Sequence, residues 1–144
     1  MSIYLDTSVL VALFIDADVF AGRAASFFAE AKETLIVSNF AKAEFAAVVA
    51  RLTRMAKIDK IEARAIFGAF DNWCSGFADE VHDVDVESLD IHDADMIIRR
   101  LDLNLRAPDA INLTIARRLG ASLVTFDDGM TDNARALGIV VTAV

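Results

Sequence analysis

Residues 3–14, Ile3-Tyr4-Leu5-Asp6-Thr7-Ser8-Val9-Leu10-Val11-Ala12-Leu13-Phe14, restrict the fold more than any other stretch of the chain. Ile3 to Leu5 form a short apolar run that fits a strand buried on both faces. Asp6 ends the run, and Thr7 and Ser8 lead into a second apolar stretch, Val9 to Ile15, with helical character. In open α/β sheets ligands gather beyond the carboxyl ends of the strands, and Asp6 stands at such an end. The plainer alternative makes Asp6 a helix N-cap, a role Asp fills well. The choice turns on whether other carboxylates converge on the same place.

The rest of the chain repeats the alternation. Leu35 to Ser38, Val81 to Val86, Ser122 to Phe126 and Ile139 to Thr142 read as further strands. Helices are expected over Val19 to Glu33, over Asn39 to Met55 (started by Ser38 or Asn39), over Asp59 to Phe77 and over about 88–103. Pro108 suits the first position of a helix from about Ala107 to Leu119, stopped by Gly120. A last helix, Met130 to Leu137, is stopped by Gly138. The expected fold is α/β, a mainly parallel, roughly five-stranded sheet with helices on both sides. No linker, repeat or low-complexity segment divides residues 1–144, so a single domain is expected.

Composition narrows the function. The chain is 56% hydrophobic, yet no apolar run reaches the roughly 18 residues a membrane span requires. Asp6 precedes any Lys or Arg, so the basic start of a signal peptide is missing. The only cysteine, Cys74, excludes an intramolecular disulfide and fits a cytoplasmic protein. So apolar a composition suggests surface covered by a partner or a second copy. The net charge of −8 argues against broad nonspecific binding of nucleic acid. Local basic groups remain: Arg51, Arg54, Lys57 and Lys60; Arg99, Arg100 and Arg106; Arg117 and Arg118. Most fit solvated helix ends, where the dipole favours them.

The carboxylates carry the chemistry. Glu44 has Phe40, Ala41, Ala47 and Val48 at i−4, i−3, i+3 and i+4, which puts it on an apolar stripe. A charge there is costly unless it is paired or binds a metal; a position at the stripe's edge, paired with Lys42 or Arg51, is the plainer alternative. Asp109 lies in the first turn of its helix, just after Pro108, where the dipole favours it in any case. Asp127 ends its strand as Asp6 ends the first, although Asp127-Asp128-Gly129 also suits a simple turn. In a parallel sheet these four acids can meet at one end. Clustered carboxylates repel unless a cation neutralises them, and oxygen donors without thiolate or imidazole select Mg²⁺ or Mn²⁺. Such ions commonly serve phosphodiester chemistry by activating water and stabilising the charged phosphate. His82, Asp83, Asp85, Asp90, His92, Asp93 and Asp95 match no compact zinc spacing and read as a solvated acidic run.

On Tyr4-Leu5-Asp6-Thr7-Ser8, Ala43-Glu44-Phe45, Ala107-Pro108-Asp109-Ala110-Ile111-Asn112-Leu113, Leu123-Val124-Thr125-Phe126-Asp127 and the Ala134-Arg135-Ala136-Leu137-Gly138 ending, the chain resembles PIN-domain ribonucleases. Among them it is most similar to the VapC-like toxin of VapBC-type toxin–antitoxin pairs. The resemblance implies an α/β/α sandwich with an acidic pocket for Mg²⁺ or Mn²⁺. It puts the family's acids on Asp6, Glu44, Asp109 and Asp127, with Ser8 and Thr125 in support and Asp128 as an auxiliary ligand. Asn112 departs from the family, many members carrying His there. The resemblance further implies cleavage of RNA, inhibition by a cognate antitoxin, and a homodimer or a toxin–antitoxin hetero-oligomer. A general RNA-processing PIN nuclease and a non-catalytic metal-binding or interaction domain are the alternatives. An Asp-based phosphatase fits less well, since Thr7 and Ser8 replace the second acid of its D-x-D motif and Lys is scarce after residue 60.

Overall fold

The computed structural model describes residues 1–76 and 80–144. Its elements run β1 (Ser2–Leu5), α1 (Thr7–Phe14), α2 (Ala21–Glu30), β2 (Thr34–Ser38), α3 (Asn39–Arg54), α4 (Lys60–Gly76), β3 (Val81–Val84), α5 (Ser88–Ile98), α6 (Ala107–Arg118), β4 (Ser122–Val124) and α7 (Asp128–Ala136). Phe77, where the helix beginning near Asp59 was expected to end, lies outside the described residues. The strands form one parallel sheet in the order β3-β2-β1-β4. Tyr4 pairs with Ile36 on one side and Leu123 on the other, so the strand that opens the chain lies inside the sheet.

The described residues hold four strands rather than the expected five. Ile139 to Thr142 contributes a single parallel bridge, Leu123 to Val141, with Leu123 N–H donating to the Val140 carbonyl and Thr142 N–H to the Leu123 carbonyl, both at 2.8 Å. β4 is only three residues long and offers a further strand little to pair with. Thr125 and Phe126, expected to prolong β4, instead turn towards the site described below.

The alternation of side chains along β1 builds two cores. Ile3 and Leu5 face α1, α3 and α4, packing with Val9, Leu10, Phe45, Val49 and Phe70. Phe14 meets the rings of Phe45, Phe70 and Trp73 edge-on in the same layer. Tyr4 faces the other way, towards Leu113, Ile115, Leu123, Met130 and Ala134 of the α6, β4 and α7 layer. The result is an α/β/α sandwich. Gly120 and Gly138 follow α6 and α7 at φ +61° and +75°, the left-handed conformation that ends a helix without steric cost only for glycine.

The acidic run after β3 is not wholly solvated. Asp90 is 1% exposed and accepts two parallel bonds from Arg118, Nε to Oδ1 and Nη2 to Oδ2, both at 2.9 Å. The Glu87 N–H also donates to Oδ2 at 2.8 Å, and the pair locks α5 to the end of α6. Arg118 is thus a structural cation rather than a free helix-end charge. No described helix is long and apolar enough to cross a membrane.

Candidate active site

Asp6 is fixed from three directions at the end of β1. Its N–H donates to the Val124 carbonyl at 3.1 Å, tying it to β4. Its Oδ2 accepts from Ser8 Oγ and from Thr125 Oγ1, each at 2.8 Å. Although Asp6 occupies the N-cap position of α1, its side chain makes no capping hydrogen bond. The carboxylate that is 6% exposed is therefore held by neutral hydroxyls instead of closing a helix. Those hydroxyls have their protons committed to Asp6 and act as acceptors elsewhere: Phe126 N–H donates to Ser8 Oγ and Asp127 N–H to Thr125 Oγ1, both at 3.0 Å. Ser8 and Thr125 thereby stitch the β1–α1 junction to the turn after β4.

Glu44 stands on α3 beside the buried stripe of Ala41, Phe45 and Val49, half-buried. Thr7 Oγ1 at 2.9 Å and Asn112 Nδ2 at 2.6 Å both donate to its Oε1. Neither suggested cation reaches it as an ion-pair partner; Lys42 pairs with Asp83 at 2.7 Å. Asn112 also donates from Nδ2 to the Pro108 carbonyl at 3.1 Å and accepts the Tyr4 hydroxyl proton on Oδ1 at 2.5 Å. With that proton spent, Ser38 Oγ is the donor in its 2.7 Å contact with Tyr4, and it accepts from Ala41 N–H at 2.9 Å. A chain of hydrogen bonds, Ser38 to Tyr4 to Asn112 to Glu44, thus runs donor to acceptor towards the carboxylate, with a second Asn112 proton on the Pro108 carbonyl.

Asp109 lies in the first turn of α6, partly exposed, with Arg106 Nε 3.9 Å from Oδ2. That arginine is 86% exposed and its pull is screened. Asp127 is exposed and caps α7, its Oδ1 accepting from Met130 N–H at 3.0 Å. A Cβ at Gly129 would come 3.1 Å from that oxygen. Asp127 is the helix cap that Asp6 is not. Asp128 follows as the first residue of α7, exposed.

The acids act on one another's charge. Burial pushes the Asp6 carboxyl up, against the opposing hydrogen bonds from Ser8 and Thr125. Burial also raises Glu44 against the bonds from Asn112 and Thr7, and the charges of Asp6 and Asp109 push it further. Asp109 is raised by burial, relieved by Arg106, and raised again by Asp6 and Asp127. Hydrogen bonds link the segments that carry the four acids: Thr125 joins Asp6 to the Asp127 backbone, Thr7 joins the start of α1 to Glu44, and Asn112 joins Glu44 to the Pro108 carbonyl, next to Asp109. Among the described residues, however, no three His, Cys, Asp or Glu side chains close into a ready cage for an ion.

Thr7, Tyr4 and Ser38 escaped the sequence reasoning as site residues, and Asn112 entered it without a role in the site. Thr7 and Ser38 occupy comparable places, just after β1 and at the end of β2, where a polar residue follows a buried strand. That placement was the available signal. Tyr4 gave another, a hydroxyl in a strand buried on both faces.

The model of the PIN domain family matches residues 3–136. A search of curated proteins finds no match. Among solved structures, the chain is similar to Mycobacterium tuberculosis VapC20, described as a sarcin–ricin-loop-cleaving toxin, with a TM-score of 0.75 at 22% identity over 99% of both chains. It is similar to FitAcB from Neisseria gonorrhoeae, with a TM-score of 0.73 at 16% identity over 98% of this chain and 96% of that one. VapBC2 from Rickettsia felis, solved bound to a DNA fragment from its promoter, gives 0.68 at 16% identity over 99% and 98%. At these identities the likeness is one of fold. With the family model spanning nearly its whole length, the chain belongs to the PIN domain family.

Proposed function

We propose that this protein is a divalent-metal-dependent endoribonuclease and the toxin of a toxin–antitoxin pair. The observation that carries the proposal is Asp6: a buried carboxylate bonded by two neutral hydroxyls, with no cation as partner among the described residues, and with hydrogen bonds tying its surroundings to the segments that carry Glu44, Asp109 and Asp127. Buried charges are normally paired or bound to metal.

The donor set fits a hard cation. It is all oxygen, which selects Mg²⁺ or Mn²⁺ over zinc or copper. Mg²⁺ commonly keeps several waters and is held by one or two carboxylates together with substrate phosphates, so grouped acids without a closed cage suit it. Asp6, Glu44, Asp109 and Asp127 would hold it. When bound, the ion supplies charge stabilisation at the phosphate and lowers the pKa of water. The chain's own residues prepare for this. Ser8 and Thr125 load Oδ2 of Asp6 and fix the rotation of its carboxylate. Thr7 and Asn112 donate to Glu44 and oppose the upward push that burial and the neighbouring charges exert on its carboxyl. No histidine belongs to this network, and the carboxylates are the groups at hand to take a proton from an attacking water.

The toxin assignment is supported by the solved structures of similar fold, which include a complex described as toxin–antitoxin from Klebsiella pneumoniae, with a TM-score of 0.61 at 17% identity. Exposed Leu89, Ile91 and Met96 on α5 offer apolar surface for a second copy or an antitoxin. Expression of the chain should arrest growth and fragment cellular RNA, and Asp6→Asn should do neither at equal protein level. Equal growth arrest by both proteins would refute the assignment.

A further inference from the structure

The turn after β4 leads away from the acids to a feature that the hydrolytic reading leaves unused. Phe126 stacks on Phe20 with ring centroids 4.8 Å apart and planes 3° from parallel. The Arg23 guanidinium lies 5.5 Å from the Phe20 centroid and 5.2 Å from that of Phe126. Arg23 is exposed, yet the two rings and a hydrogen bond to the main-chain oxygen of Val144 restrict where its charge sits. It lines a cleft of about 190 Å³ together with Thr125, Asp128, Thr131 and Arg135. Thr131 and Arg135 lie on one face of α7, four residues apart.

This cleft adjoins the acids through shared residues. Thr125 lines it and donates to Asp6; Phe126, whose ring seats Arg23, donates its N–H to Ser8 Oγ. Phe126 and Ser8 thus connect the guanidinium to the Asp6 carboxylate. In a chain of net charge −8 an anionic strand has few places to rest, and a planar guanidinium matches phosphate through parallel hydrogen bonds.

Resting on the nuclease reading, we infer that Arg23 and Arg135 form a phosphate subsite that holds the RNA backbone next to the bond being cleaved. The strand would lie with one phosphate at the acids and a flanking phosphate in the cleft. The aromatic pair preorganises Arg23, so that less side-chain freedom is lost on binding. Arg23 and Arg135 are binding residues in this account and take no part in proton transfer.

The test uses protein carrying Asp6→Asn, so that RNA survives, and measures binding of a fluorescent oligouridylate at several salt concentrations. Adding Arg23→Ala or Arg135→Ala should weaken binding about tenfold each, and should lower the slope of log K against log salt by about 0.7 per arginine, the value for one single-strand phosphate contact. Arg99→Ala removes the same charge from the C-cap of α5 and should leave binding unchanged. Arg23→Lys should fall between, since it keeps the charge and loses the stacked plane. Circular dichroism guards against misfolding of Arg23→Ala, and Arg135→Ala is an independent arm. If RNA binds all variants equally, the surface serves a protein or nothing, and the subsite is refuted. Separately, wild-type protein is assayed on bis(4-nitrophenyl) phosphate with Mn²⁺. Hydrolysis there, with RNA binding indifferent to both arginines, removes the subsite and leaves the nuclease. No hydrolysis of that diester and no cleavage of RNA removes both.

Discussion

Asn112 donates its Nδ2 to Glu44 Oε1 at 2.6 Å while its Oδ1 accepts the hydroxyl of Tyr4, so a residue of the buried sheet orients an acid of the site through one amide. The amide's orientation is unambiguous, because the Pro108 carbonyl at 3.1 Å also requires a donor on the Nδ2 side. Glu44 thereby keeps its place at the edge of an apolar stripe with neutral donors instead of a cationic partner.

Asn112→Ala should destabilise the fold by about 2 kcal/mol, because the Tyr4 hydroxyl and Glu44 each lose a buried partner. Asn112→Asp should do more harm to activity than Asn112→Ala does, since it sets a further carboxylate against Glu44 and removes both donors. Urea denaturation and RNA cleavage by the two variants check this; Asn112→Asp as active as wild type would contradict it.

Asp6, Glu44 and Asp109 have carboxyls held above their ordinary range. The folded chain therefore binds protons that the unfolded chain has already released. Stability without metal should fall as pH rises from about 4, the ordinary carboxyl range, through the raised values, and level off above them. Asp6→Asn should flatten that fall and stabilise the metal-free protein at neutral pH by the order of 1 kcal/mol. Thermal melting from pH 4 to 8 with chelator present measures both effects. Stability rising with pH over that interval would contradict them.

Arg118→Met should cost about 3 kcal/mol, since it leaves Asp90 buried without its cation. The pair joins α5 to α6 away from the acids, so the loss should appear in urea midpoints. A midpoint within error of wild type would show the pair to be dispensable.

Cys74 is half-buried, and burial pushes its thiol up to about 11. At pH 8 only about one molecule in a thousand would carry the thiolate, so alkylation by iodoacetamide should run roughly a hundredfold slower than for free cysteine. Alkylation at the free-cysteine rate would contradict the placement of that side chain.

Strand–helix alternation made the sheet legible because each buried strand is a compact apolar run, and Pro108, Gly120 and Gly138 marked helix boundaries by backbone geometry alone. The fifth strand misled because Ile139 to Thr142 has strand-like composition, whereas its pairing depends on how far β4 extends, which no local pattern records. Glu44 was readable from the clash of its charge with its neighbours. Its support by Asn112 and Tyr4 was not, since those residues are 68 and 108 positions apart from their partners and meet only when α6 packs on the sheet. Asp6 and Asp127 looked equivalent in sequence, each an acid after a strand. Their roles diverge because Ser8 and Thr125 claim the first carboxylate, while the second is left to cap its helix.

The most direct test of the central claim is RNA cleavage as a function of Mg²⁺ concentration, for wild type and Asp6→Asn side by side. The account predicts cleavage by wild type that rises with Mg²⁺ to saturation and vanishes in chelator, and a loss of at least a hundredfold in Asp6→Asn at every concentration. Wild-type cleavage undiminished by chelator, or a variant as active as wild type at saturating Mg²⁺, would contradict it.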